Sequence, residues 1–182
     1  MATSSTWIPL QAVDLPAALR RTAGPPPPGI RLCATGLPAD LGRIVTVYDA
    51  AFGLEGEDAL TAAQLAGLSR HPGLDLTGAF LAIDGERAVG VGMGSVEVPA
   101  PGGEPHRGAV ELLAVLPGYR RRGIARALLH NVLVWLVKQG VTVVEATVED
   151  VIALAMLEGY GFACAGEVAE DSDMGRGDLA PT

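Results

Sequence analysis

Residues 110–126, Val-Glu-Leu-Leu-Ala-Val-Leu-Pro-Gly-Tyr-Arg-Arg-Arg-Gly-Ile-Ala-Arg, leave this chain few structures to adopt. An apolar strand runs to Leu116 and stops at Pro117, because Pro cannot donate to a central ladder. A short loop follows, and a helix begins around Gly123. The first N–H groups of a helix have no internal partner and carry the positive end of its dipole, so this junction is a ready anion site. Gly123 removes a side chain that would obstruct a phosphate. Arg120, Arg121, Arg122 and Arg126 are four of the 13 Lys and Arg residues, in a chain of net charge −8. That concentration points to a local anionic ligand, the alternative being a solvated basic turn.

The surrounding pattern places this junction in one sheet covered by helices. Ile30–Thr35 alternates like a strand, Ala39–Phe52 has helical spacing, and Ala59–Leu68 forms a second helix. Ala79–Ile83 and Ala88–Glu97 are strands joined by the turn signal Asp84-Gly85. Ala109–Val115 is a strand, Gly123–Gln139 a helix with Gly140 at its end, and Val141–Val148 a strand. Asp150–Glu158 is a helix closed by Gly159, and Phe162–Val168 a last strand. The order β-α-α-β-β-β-α-β-α-β is a mixed α/β layout.

Residues 1–29 read as an N-terminal extension, with a short helix capped by Asp14 and a stiff linker at Pro25–Pro28, or a ligand for a proline-reading domain. Residues 30–168 form the main domain, and 169–182 an acidic, Gly-rich tail that is expected to be loose. Arg176-Gly177-Asp178 in that tail is a chance match to an adhesion tripeptide. The tail leaves three sources open for the sheet's final strand: none at all, residues 1–29, or exchange with a partner subunit in a homodimer.

Composition removes whole classes. At 49% hydrophobic and 19% charged, the 182 residues can bury a core, built from aliphatic side chains because aromatics are only 4%. The acidic balance argues against nucleic acid as the main partner. The longest apolar run, Ala127–Val137, is interrupted by His130 and Asn131 and is too short to span a bilayer. No basic stretch leads into an apolar run near Met1, so no signal peptide is read and a cytoplasmic protein is expected. Cys33 and Cys164 make no framework, and His71, His106 and His130 lack metal-ligand spacing, so no metal is expected. Gly90-Val-Gly-Met-Gly94 lies inside a strand pattern, which makes it a place of close backbone approach rather than a dinucleotide fingerprint. The phosphate loop of nucleotide hydrolases is missing, since the only lysine is Lys138. Trp135 reads as a packing residue of the long helix.

Arg120-Arg-Arg-Gly123-Ile-Ala125 resembles the acyl-CoA signature of the GNAT acetyltransferase superfamily, Gln/Arg-x-x-Gly-x-Gly/Ala. Leu113-Ala-Val-Leu-Pro-Gly-Tyr119 is similar to the strand exit before it, and Asp150…Leu157…Gly161-Phe162 to the family's closing helix and strand. The resemblance implies a GNAT-like α+β fold: a single mixed, mostly antiparallel sheet with splayed central strands and helices on both faces. It implies that Arg120, Arg121, Arg122, Gly123, Ile124, Ala125 and Arg126 hold the CoA pyrophosphate. Leu113, Ala114 and Val115 would pair with the pantetheine arm, and a strand bulge would free an N–H near Val115 to stabilise the oxyanion. Asp150 and Leu157 fall at further cofactor-binding positions.

The implied reaction is direct attack of an amine on the thioester of acetyl-CoA, which needs a group to take the amine's proton. Glu111 is the candidate base, the alternative being a solvent-facing strand residue, and Glu97 is the second choice. Leu157 stands where the family carries a Tyr that protonates the thiolate, and Asp150 stands where it carries Asn. A thiol with a pKa of about 8.5 leaves tolerably without an acid. Tyr160 is a substitute acid or a core residue, and Tyr119 packs beside the cofactor. The acceptor is a small-molecule or protein amine in a pocket formed by the first helices, the loop Pro99–Gly108 and the C-terminal strands. The competing reading, motivated by Leu157, is a degenerate acyl-CoA-binding sensor or scaffold; a third is an unrelated nucleotide-binding domain.

Overall fold

Asp14 starts the first helix as its residue type predicts: its Oδ1 accepts the Ala17 N–H at 2.9 Å, with Pro16 in the first turn. In the computed structural model, which describes residues 8–12, 14–36, 38–68, 74–97, 107–148 and 151–165, that helix is α1, Leu15–Thr22. It follows β1, Ile8–Ala12, and precedes β2, Ile30–Ala34. Then come α2, Leu41–Phe52, closed by Gly53 at φ 67°, and α3, Ala62–Leu68. The predicted hairpin joins β3, Leu74–Asp84, to β4, Arg87–Glu97, with Gly85 at φ 58° in its two-residue turn. β5 is Arg107–Val115, and α4, Ile124–Lys138, starts after Gly123 and ends before Gly140 at φ 82°. β6, Val143–Val148, α5, Val151–Gly159, and β7, Ala163–Cys164, complete the order. The last strand is thus shorter than the predicted Phe162–Val168; residues 166–182 lie outside the described residues, as do 1–7 and 98–106.

The strands form one sheet in the order β2-β3-β4-β5-β6-β1-β7. Every neighbouring pair is antiparallel except β5–β6, so the fold is the mixed, mostly antiparallel α+β sheet expected from the resemblance. The reading of residues 1–29 as an appendage needs correction. Residues 8–12 lie inside the sheet, with Leu10 paired to Ala146 on one side and to Cys164 on the other. Among the three sources left open for the final strand, the same chain's N-terminus occupies the place beside β6. Leu10, Ala12, Leu15 and Ala18 are buried with Leu129, Leu133 and Leu136 of α4, so burial of apolar surface drives this arrangement.

The glycines of β4 set how closely α4 approaches. A Cβ on Gly94 would lie 2.8 Å from Val132 Cγ1, and one on Gly90 3.0 Å from Leu128 Cδ1. On β3, a Cβ on Gly78 would lie 2.2 Å from the Trp135 ring. Gly90-Val-Gly-Met-Gly94 is therefore the close-approach strand its pattern predicts, and Trp135 is the expected packing residue. Val89, Val91 and Met93 alternate with these glycines. They turn to the opposite face and are buried with Leu41, Ile44 and Val47 of α2. Helices thus cover both faces, α1 and α4 one and α2 the other.

Candidate active site

β5 and β6 pair from Arg107↔Val143 to Val110↔Ala146, and no further. The cause lies on the other edge of β5. Met93 of β4 pairs with Leu112, and the next residue, Gly94, pairs with Val110, which leaves Glu111 as an extra, unpaired residue. A bulge of this kind bends its strand and raises the local twist. The strands accordingly part just beyond Val110, and 111–115 have no partner in β6. The splay expected from the resemblance is present. The bulge is four residues earlier than expected, at Glu111 rather than near Val115, because the register shift falls opposite Gly94. Leu113, Ala114 and Val115 thus border an open fork, where β6-facing backbone groups, apart from the Val115 carbonyl that Arg120 holds, have no strand partner.

The loop beyond this fork brings a row of amides together. Pro117–Tyr119 is a single 3-10 turn, after which Arg121 at φ 64° and Gly123 at φ 84° reverse the chain into α4. The Arg120 N–H is donated to Pro117 O (3.3 Å) and the Ala127 N–H to Gly123 O (3.1 Å). The amides of 121–126 in between have no acceptor among the described residues. They form the concave donor set an anion needs. Gly123 matters through its left-handed backbone, since a Cβ there would meet only Pro27 Cγ at 3.8 Å.

The four arginines divide. Arg120 reaches back to Val115 O (3.1 Å) and to Ala51 O at the end of α2 (2.6 Å). Arg126 donates to Thr22 O, Ala23 O and Pro25 O around the end of α1. Both guanidinium groups therefore hold backbone, which corrects the reading of all four as one free basic cluster. Arg121 and Arg122 are exposed, and Arg122 lies over the Tyr119 ring at 5.2 Å. Tyr119 in turn donates to Asp84 Oδ2 at 2.9 Å, which ties the loop to the β3–β4 turn. That bond, burial and the Asp84 charge raise the Tyr119 pKa, while Arg87 and Arg122 oppose the rise.

Glu111, the candidate base, stands at the apex of the fork and accepts a hydrogen bond from the Ser95 hydroxyl of β4. Ala109 pairs with Ser95 and also with Glu145, so these residues share one face of the sheet. Glu145 accepts from Gln11 Nε2 (3.1 Å) and from Arg107 Nη1 (2.7 Å), so its charge is neutralised. Glu111 has no ion-pair partner among the described residues. Glu97, the second choice, is exposed at the end of β4.

Leu157 is only 3% exposed, packed in the cluster that contains Leu10, Leu15 and Ala18. Tyr160 is half-buried against the same cluster, the core position named as its alternative. Asp150 lies outside the described residues. Ser95 and Asp84 carry contacts that the sequence reading missed. The available signal for Ser95 was a lone hydroxyl among the Gly, Val and Met residues of 89–96. A cleft between α2 and the start of β4, lined by Arg43, Val47, Arg87 and Leu116, includes no residue of the fork or of 120–126. Among the described residues no helix is long and apolar enough to cross a membrane, and no cluster of metal ligands occurs.

An open fork between parallel strands, followed at once by an amide-lined helix start, is the arrangement the resemblance implies. A family model described as Acetyltransferase (GNAT) family matches residues 43–162. The chain belongs to the GNAT acetyltransferase family. No curated protein sequence matches it.

Solved structures agree on the fold. An aminoglycoside acetyltransferase, meta-AAC0020, from an uncultured soil metagenomic sample, in complex with sisomicin, superposes with a TM-score of 0.62 at 17% identity over 80% of this chain and 94% of that one. AAC(6')-Iy in complex with a CoA bisubstrate analogue gives 0.60 at 18% over 79% and 97%. A tandem GNAT protein from the clavulanic acid biosynthesis pathway gives 0.66 at 14% over 90% of this chain, which spans only 51% of that protein. Family membership makes this an acetyltransferase of the GNAT type in general terms, and the neighbours share its fold.

Proposed function

We propose that the protein transfers the acetyl group of acetyl-CoA to an amine by direct attack. The observation that supports this most is the parting of β5 from β6 beyond Val110 and Ala146, with β5 leading on into the amide row of 121–126. The free strand edge at Leu113–Val115 suits the amides of a pantetheine arm, and the amide row with Arg121 and Arg122 suits a pyrophosphate. Arg120 and Arg126 act beside them by fixing the loop's position. Acetyl-CoA supplies a thioester already activated toward nucleophiles.

Glu111 then removes a proton from the acceptor's ammonium group, and the freed amine forms a C–N bond at the acyl carbon. Backbone N–H groups turned into the fork face the oxygen on which negative charge develops. When the C–S bond breaks, the nitrogen's remaining excess proton goes to the departing thiolate, and Glu111 returns its own to solvent. A general base of this kind contributes roughly 10²–10⁴ in rate.

A second reading, an acyl-CoA-binding module without turnover, is favoured by Leu157, which offers no proton and is packed in the core. Thiol release from acetyl-CoA followed across a panel of amines separates the two. Transfer predicts release with at least one amine, strongly reduced in Glu111→Gln. Tight CoA binding with no release from any amine supports the module. A cytoplasmic location fits either reading.

A further inference from the structure

We propose that Ser95 is a positioning residue that holds the Glu111 carboxylate at the apex of the fork; this rests on Glu111 being the base of the reaction proposed above. Two polar side chains are buried among the described residues, Thr22 and Ser95. Thr22 lies in a helix and donates to Ala18 O at 2.9 Å, the usual outlet for a hydroxyl in that setting. Ser95, 2% exposed on a central strand, donates instead to Glu111 Oε1. A buried hydroxyl left without a partner is destabilising, so a hydroxyl at this site needs that carboxylate. Ionised, the carboxylate only accepts, which fixes the direction of the bond.

The bulge explains why such a holder is needed. Glu111 is the residue without a partner in the β4–β5 ladder, and it also lies beyond the last β6 pair. No residue of either neighbouring strand stands opposite it, and no cation pairs with its side chain among the described residues. Ser95 pairs through its backbone with Ala109, two residues before Glu111 on the same face, so its hydroxyl is rigidly placed. It engages Oε1 and leaves Oε2 to receive the acceptor's proton. Glu145, on the same face, is held differently, with Gln11 and Arg107 both donating to its Oε1.

The test is kinetic, on the full chain, with thiol release from acetyl-CoA as readout and the most active amine of the panel as acceptor. Ser95→Ala is expected to lower kcat about tenfold to a hundredfold, the scale of a misplacement near 1 Å, while KM for acetyl-CoA is unchanged. Ser95→Cys, close in size with a weak donor, should fall between Ala and wild type, and serves if Ser95→Ala does not fold. In a Glu111→Gln background, Ser95→Ala should cost nothing further, because the two act as one unit. Full kcat in both Ser95 variants beside a crippled Glu111→Gln overturns the positioning role and leaves the base intact. Losses that multiply in the double variant also overturn it. Full activity in Glu111→Gln, or a wild-type protein that releases no thiol with any amine, removes the underlying reading and this proposal with it.

Discussion

The Arg126 guanidinium grips the end of α1, with Nη1 donating to Thr22 O at 2.7 Å and Ala23 O at 2.8 Å and Nη2 to Pro25 O at 3.0 Å. Carbonyls at a helix C-terminus carry partial negative charge and lack internal donors, so a forked cation satisfies several at once. An arginine that the motif suggests for phosphate thus fastens the N-terminal segment to the first turn of α4.

Arg126→Ala is therefore expected to act on stability first. Hydrogen bonds to charged groups contribute about 1.5–3 kcal/mol, but partial exposure lowers the total here to about 1–3 kcal/mol. For a chain of this size, each kcal/mol shifts Tm by roughly 2–4 °C. Lys should not restore the loss, since it lacks the fork. Arg121→Ala and Arg122→Ala should show the reverse: unchanged melting, and a CoA dissociation constant raised about tenfold for each lost charge-assisted contact. Calorimetric melting and CoA titration on the three variants check the division. Equal effects on both measurements in all three would contradict it.

Tyr119 and Asp84 give a pH-dependent prediction. The phenol donates to Asp84 Oδ2, and loss of its proton would set two negative oxygens against each other. Its folded pKa is raised above the ordinary value of about 10, chiefly by that bond. The neutral form is thus favoured by folding, and the bond's contribution is fully present below about pH 10 and lost as pH rises through the raised value. In an alkaline titration followed by tyrosinate absorbance, Asp84→Asn should shift one of the three tyrosine transitions to lower pH. Tyr119→Phe should remove that transition altogether. A titration curve identical in wild type and Asp84→Asn would show that the tie does not persist in solution.

Legibility differed by element for physical reasons. The junction at 116–124 was readable because Pro117 and Gly123 act locally, one ending a strand and the other entering a helix. The hairpin at Gly85 and the cap at Asp14 were readable for the same reason. The bulge at Glu111 was misplaced because it depends on which β4 residue faces which β5 residue, and strand register is not encoded in one strand alone. The roles of Arg120 and Arg126 were hidden because identical side chains are sorted only by the carbonyls that tertiary structure brings near. Ser95 and Glu111 lie on different strands, and only the bulge sets them in reach. β1 was missed because Ile8-Pro-Leu-Gln-Ala12 is short and contains a proline, and it pairs with Val144–Val148, more than 130 residues away.

That missed strand carries the last prediction. Leu10 is 1% exposed, paired on both sides, and packed with Val144, Ala146 and Leu133. If residues 8–12 are part of the core, Leu10→Ala creates a cavity and should cost about 2–5 kcal/mol, like any central leucine. An appended segment predicts a change within about 0.5 kcal/mol, as for exposed positions. Urea unfolding distinguishes the two through the midpoint, with an unchanged m-value showing that the folded and unfolded states keep their extents. Deletion of residues 1–12 should go further, since it bares the outer edge of β6 and the apolar face of α4 that Leu10 and Ala12 cover. A deleted chain with the oligomeric state and unfolding behaviour of the full chain would return β1 to the status of an appendage.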